Sequence, residues 1–275
     1  KIAFSNSYVG NAWRTAAVNI FDAYTADLVE QGVLSKAYSS SAGDDVQAQI
    51  NEIRNMMSEG YDAIVCIAAS ATGLQSVDSD LVYNVNTDQF EYGRLLAQSL
   101  ADRMGGEGNI LWFKGIEGNQ VTLDRTEGMQ SVLDNYPGIK VLGDGYGKWD
   151  DSTTASVMSN LMSAYASQGI DGILSEGGGG HAIVQSLVEN GIDPATVPIS
   201  EGEMFNSFMK DWVEMDLDAF CTAQPPYLAA AAVDVALKVL NGEEVEPMTY
   251  VDLPTCSSKE EAEEKWYQPD QEGGF

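Results

Sequence analysis

Two glutamates in this sequence, Glu176 and Glu201, each stand just beyond a short strand-like apolar run, 172–174 and 197–200. A pair of carboxylates can act as acid and base on a glycosidic bond, and it can equally accept hydrogen bonds from a sugar's hydroxyls with no bond broken. Arg125 stands with Asp124 at the opening of a helical pattern, after a turn punctuated by Gly115 and Gly118; Arg14 lies just past the polar loop 5–12. Trp13 and Trp149 fall in strand-to-helix loops, outside any apolar period. Flat aromatic rings suit the C–H faces of a sugar, while guanidinium and carboxylate groups suit its hydroxyl edges.

Covalent chemistry is poorly provided for. His181 is the single histidine, so any Ser-His-Asp or Cys-His arrangement would have to use it, and the sequence holds neither an HExxH motif nor a His-rich cluster. The glycine run 177–180 lacks the Lys-Ser/Thr of a P-loop, and GDGYG at 143–147 is followed by KWDD rather than by a helix. Both are expected to be flexible or close-approach loops. The three cysteines fit no metal spacing, and their odd number excludes a complete disulfide framework. Cys66 and Cys221 lie in strand-like runs and are expected to be small buried apolar residues; Cys256 has no evident place. No cofactor and no metal are expected.

The chain has 275 residues, 42 of them acidic and 14 basic, for a formal net charge of −28. That field repels nucleic acid and anionic lipid, and its plainest consequence is solubility. No apolar run approaches the roughly 18–20 residues that span a bilayer. Because Lys1 opens directly on a strand-like run, a secretory signal or lipid-anchor cysteine is expected to have been trimmed away.

The elements that must carry these residues alternate. Strands are expected at 2–4, 33–38 and 63–69, with helices at 13–31 and 45–58, the latter striped by Val46, Ile50, Ile53 and Met57. After a helix at 88–104, the second half continues with strands at 110–113, 140–142, 172–174, 197–200 and 219–222. Its helices fall at 122–135, 152–167, 181–190, 205–215 and 227–240. A last short strand is expected at 250–253, and an acidic tail with a turn or two of helix at 257–275. Such alternation argues for parallel sheets covered on both faces. Asp88, Asp124 and Asp151 fit helix caps or first-turn acids. The rhythm breaks at 70–88, where a parallel crossover of a dozen residues or more has no room; residues are expected to be absent near 77–78.

With these residues in place, the chain resembles the type I periplasmic sugar-binding proteins, the ribose- and galactofuranose-binding group that feeds ABC importers, over nearly its whole length. Asn11-Ala12-Trp13-Arg14 is similar to that family's Asn-Pro-aromatic-aromatic pocket segment, with Arg14 in place of the second aromatic. GIEGNQVTLDRTEGM resembles its Gly-x-x-Gly segment, which puts Arg125 on the ligand-binding arginine. Trp149 matches a stacking aromatic, Glu176 and Gly177 the usual Asn-Asp or Asn-Glu, Glu201 the usual Asp, and Gln224 a pocket glutamine at a hinge crossing. The glycine-rich SEGGGG and the longer Glu201 are departures from the family pattern that bear on which sugar is held. The resemblance also implies a further helix, strand and Asp-bearing loop at the break, roughly two dozen residues, whose absence from this sequence agrees with the crossover being too short.

The resemblance implies two doubly wound α/β domains, 1–87 plus 225–252 and 88–224 plus 253–275, joined by a three-crossing hinge with the ligand cleft between them. It implies binding without catalysis: a monosaccharide, pentose, hexose or furanose, or a polyol, held by hinge closure. The expected ligand residues are Asn11, Trp13, Arg14, Arg125, Trp149, Glu176, Gly177, Glu201 and Gln224. A membrane permease is the implied partner of a monomeric chain that is periplasmic or extracellular, free or lipid-anchored to the cell surface. Two alternatives remain at this stage: a sugar-sensing effector or signalling module, against which the absence of an N-terminal DNA-binding segment and the −28 charge both count, and a glycosidase using Glu176 and Glu201.

Overall fold

The computed structural model describes residues 1–7, 12–43, 45–69, 74 and 81–269. It divides into two compact units, Lys1–Asn86 with Pro225–Asp252, and Thr87–Gln224 with Leu253–Phe275. Asn11, most of the stretch 70–80 and the proposed break near 77–78 lie outside the described residues.

In the smaller unit β1 (Ile2–Asn6) is the middle of a parallel sheet ordered β2 (Ala37–Ser41), β1, β3 (Ala63–Ile67). Every β1 residue is buried, as a strand covered on both faces requires. One cover is α1 (Ala12–Glu30) with α8 (Leu228–Leu240), meeting the sheet through Phe4, Phe21, Val65 and Val233. The other is α2 (Val46–Ser58), whose Met56 packs with Ala3 and Tyr61. Asp45 caps α2 by accepting the N–H groups of Gln47 and Ala48. A parallel pair, β4 (Asn84–Asn86) with β10 (Met248–Tyr250), completes the described part of the unit.

Four expectations for this unit need correction. The stripe on α2 runs through Gln49, Ile50, Ile53 and Met56, leaving Met57 exposed. Gln49 claims the buried position because its amide bridges strand ends, donating to Ile67 O (3.0 Å) and accepting the Ala69 N–H (2.8 Å). β2 starts at Ala37 rather than 33, since Val33 and Leu34 both donate to Leu28 O and finish α1 around Gly32, at φ +75°. Cys66 is exposed, because β3 is an edge strand on which Val65 is the buried residue. The last strand of the unit falls at Met248–Tyr250 instead of 250–253, set by its register on β4.

The larger unit is built on a sheet ordered β11 (Thr255–Cys256), β9 (Ala219–Thr222), β8 (Ile199–Gly202), β7 (Gly172–Ser175), β5 (Glu107–Lys114), β6 (Gly138–Tyr146), parallel except for β11. β5 alternates Ile110 and Trp112 towards one core with Leu111 and Phe113 towards the other. The first core is roofed by α3 (Gln89–Arg103) and α4 (Gln120–Leu133). The second is roofed by α5 (Asp151–Tyr165), α6 (Gly180–Glu189), α7 (Asn206–Met215) and the tail, where Ala262 and Trp266 follow α9 (Lys259–Glu261). This is the doubly wound α/β architecture. From β5 the chain goes outward to β6 and returns on the other side to β7, so the switch point lies between the C-terminal ends of β5 and β7.

GDGYG is not a loop: Gly143 and Gly145 lie inside β6 and serve close approach alone. A Cβ on Gly143 would come within 2.5 Å of the Tyr165 ring, and one on Gly145 within 2.4 Å of Val157 Cγ1. Asp124 is not in a first turn either, because Asn119 caps α4 upstream by accepting the Val121 N–H. Asp88 is the cap of α3, and Asp151 is in the first turn of α5 behind its cap Asp150. No helix among the described residues is long and apolar enough to cross a membrane.

Candidate functional site

The C-terminal ends of β5, β7, β8 and β9 deliver Gly115, Glu176, Glu203 and Gln224. Glu176 closes the switch point itself. Its Oε2 accepts the Gly115 N–H (2.9 Å) from beyond β5, and its Oε1 accepts the Thr126 hydroxyl (2.9 Å) from α4. Burial pushes this carboxyl up to about 7, against the opposing pull of the Arg125 charge.

Arg125 is 2% exposed. Its Nε donates to Gln89 Oε1 (2.8 Å), Nη1 to the main-chain oxygen of Glu176 (2.8 Å) and Nη2 to Gln224 Oε1 (3.3 Å). Nη2 also lies 3.5 Å from Glu203 Oε1, and the guanidinium stacks 3.6 Å from the centroid of the Tyr92 ring. Two glycines make this possible. A Cβ on Gly93 would meet Arg125 O at 2.0 Å, and one on Gly128 would meet Phe90 O at 2.0 Å, so α3 and α4 touch backbone to backbone. That contact sets Arg125 of one helix beside Gln89 and Tyr92 of the other.

Glu201 is 1% exposed and lies within β8 rather than beyond it, and its side chain reaches the start of α6, where Oε1 accepts the N–H groups of Gly179 (3.3 Å) and Gly180 (3.2 Å). Its Oε2 is buried without a partner, and burial pushes the carboxyl up to about 8. The glycine run is the mould for this arrangement. Gly177 has φ +117° and backs onto Gly202 O, Gly178 has φ +79° and backs onto the Trp149 backbone, and a Cβ on Gly180 would lie 2.6 Å from the Phe208 ring. Trp149 is half-buried, at φ +56°, with its ring against Gly115 and 5.8 Å from the Arg125 guanidinium.

Glu203 was not singled out from sequence. It is 7% exposed, takes the left-handed φ of +79°, accepts the Tyr92 hydroxyl at 3.3 Å and leaves Oε2 buried and unpartnered. A non-glycine residue held at positive φ is strained, and such strain gathers at functional sites. Burial pushes this carboxyl up to about 7. Gln89, Tyr92 and Thr126 were missed as well. Tyr92 followed by Gly93 on one helix, and Arg125 followed three residues later by Gly128 on the next, were the available signal.

The structure thus gathers Arg125, Trp149, Glu176, Gly177, Glu201 and Gln224 in one unit. His181 does not join them; its Nδ1 pairs with Asp211 Oδ2 at 2.6 Å. In the smaller unit Trp13 packs at the edge of the α1 core, and Arg14 Nη1 donates to Asn6 Oδ1 (3.0 Å) and Ser7 Oγ (2.6 Å) at the end of β1. Among the described residues no cluster of His, Cys, Asp and Glu could hold a metal ion. The arrangement fixes donors and acceptors in direction, and leaves one buried oxygen each on Glu201 and Glu203 without a hydrogen-bond partner.

Residues 2–244 match the family model described as a periplasmic binding protein domain. A xylitol-binding protein of Mycolicibacterium smegmatis is 31% identical over 172 residues, covering 55% of this chain and 49% of that protein, so the match spans about half the length of the curated relative. The periplasmic binding component of the arabinose ABC transporter from Shewanella sp. ANA-3, solved with α- and β-L-arabinofuranose, superposes with a TM-score of 0.83 at 21% identity, covering 96% of this chain and 94% of the other. An ABC transporter solute-binding protein of Bacillus halodurans C-125 with bound myo-inositol gives 0.82 at 21% identity, covering 96% of each chain. At such identity these two establish the fold.

Proposed function

We propose that this chain, which belongs to the periplasmic binding protein domain family, is the solute-binding component of a carbohydrate ABC importer and holds one monosaccharide or polyol without turning it over. The observation that carries the proposal is the buried Arg125 cluster at the switch point, with unpaired acceptor oxygens on Glu201 and Glu203. A polyhydroxylated ligand answers both features, because each hydroxyl donates one bond and accepts others. The ligands named for the relatives, xylitol, L-arabinofuranose and myo-inositol, are all small polyhydroxylated molecules and support the same class.

In this proposal Trp149 offers its ring to a C–H face, Gln224 and Glu201 serve hydroxyls, and Arg125 donates to a ring or hydroxyl oxygen. Asn11, Trp13 and Arg14 are further proposed ligand residues. The family places the chain outside the cytoplasm; a lipid anchor, a monomeric state and delivery to a membrane permease belong to the proposal.

A thermal-shift screen over pentoses, hexoses, furanoses and polyols tests it, since a ligand that binds only the folded form raises its stability. At a concentration 100-fold above Kd the gain is about 2.7 kcal/mol, a rise of several degrees in Tm. Arg125→Lys keeps the charge but cannot reproduce the fork, and is expected to lose most of that rise. No rise with any of these compounds, or a full rise in Arg125→Lys, counts against the proposal.

A further inference from the structure

The larger unit contains two cysteines that ligand binding leaves unused. Cys221 is on β9 and Cys256 on β11, and the antiparallel register of these strands sets the two directly opposite each other. Residues opposite one another in an antiparallel pair have Cα atoms about 4.5–5.5 Å apart and project their side chains to the same face. A disulfide spans Cα separations of about 4.4–6.8 Å. Both residues are 0% exposed and belong to one apolar cluster, which also takes in Trp212, Ala223 and Ala262. The register is pinned next to them, where the Thr222 hydroxyl (2.9 Å) and the Ala223 N–H (3.3 Å) both donate to Pro254 O. The remaining cysteine, Cys66, lies exposed in the other unit.

We propose that Cys221 and Cys256, thiols in this structure, are a disulfide site that closes outside the cytoplasm. The oxidant is a disulfide of the thiol-exchange class, low-molecular-weight or protein-borne. One cysteine thiolate attacks a sulfur of that disulfide and expels the first leaving thiolate; the second cysteine then attacks the mixed disulfide and expels the other. Two cysteine thiols give up two electrons and two protons, and the oxidant leaves as two thiols. Burial pushes the Cys256 thiol up to about 12 and the Cys221 thiol well above its ordinary value, so neither is reactive once packed. The exchange therefore belongs to folding, before β11 docks, and the finished bond is shielded from reductant.

The chain leaves the larger unit after Gln224 and re-enters it at Leu253. A bond between Cys221 and Cys256 ties the outgoing segment to the incoming one, so that α8 and β10 become a closed loop rooted on this sheet. That constraint is independent of which ligand is held.

The test is to refold the purified chain in a mixture of reduced and oxidised glutathione, denature it without reductant, alkylate it with iodoacetamide and measure intact mass. One alkylated thiol is expected, with a protease fragment linking the Cys221 and Cys256 peptides. Three alkylated thiols, or a link to Cys66, overturns the proposal. In parallel, reductant should lower the Tm of the oxidised protein by about 5–10 °C and leave a Cys221→Ala/Cys256→Ala variant unmoved. An equal drop in both also overturns it.

Discussion

Arg125 is in direct contact with a floor that carries three buried carboxyls, Glu176, Glu201 and Glu203. Burial raises all three, from an ordinary 4.5 to about 7, 8 and 7. A raised carboxyl holds its proton in the folded state where the unfolded chain has released it, so its contribution to stability is whole below about 4.5 and is lost as pH climbs through the folded value. Stability is therefore expected to fall between pH 5 and 8, with a slope approaching 1.4 kcal/mol per pH unit for each group fully protonated when folded and ionised when unfolded. Glu201→Gln, which cannot ionise, should flatten that slope by as much as one group's share. Urea denaturation of both proteins at pH 5.5, 6.5 and 7.5 measures it; parallel slopes would contradict the assignment. Glu176 was legible in the sequence because it follows a recognisable apolar strand, and Glu201 because it closes another, although β8 runs on through it to Gly202. Glu203 was not, because its importance comes from a left-handed backbone and from Tyr92, neither visible in residue order.

At the scale of elements, the site depends on how closely α3 and α4 approach. Their backbones touch at Gly93 and Gly128, where a methyl group would sit 2.0 Å from a carbonyl oxygen of the facing helix. Gly93→Ala gains about 1 kcal/mol in helix propensity, yet the obstacle is backbone and cannot step aside. The net result expected is a loss of about 1–3 kcal/mol together with weaker ligand binding, as Arg125 is pushed off Tyr92 and Gln89. A lower urea midpoint with a reduced ligand-induced shift checks this; an unchanged or higher midpoint would show that the helices do not touch there. The helices themselves were readable from apolar period and capping residues, and most boundaries fell within two residues. What could not be read was which faces meet. Met56 replaces Met57 in the α2 core because Gln49 is drawn inward to join the ends of β1 and β3, a long-range bond that periodicity does not register.

For the whole molecule, the alternation of strand and helix made the doubly wound class legible, and the order β6-β5-β7-β8-β9 in the larger unit puts its switch point at the end of β5, where Glu176 reaches across to Gly115. Topology therefore chooses the place, and the residues at that place choose the chemistry. The groups of the Arg125 cluster hold each other in position, with the Thr126 and Tyr92 hydroxyls donating to Glu176 and Glu203. Isothermal titration calorimetry of the purified chain against pentoses, hexoses, furanoses and polyols, followed by chemical identification of the compound released on denaturation, bears most directly on the central claim. The expected result is one ligand per chain at micromolar or tighter Kd, about 8 kcal/mol of binding free energy or more, recovered unchanged. Absence of binding heat across the whole panel, or recovery of a product different from the compound added, would contradict it.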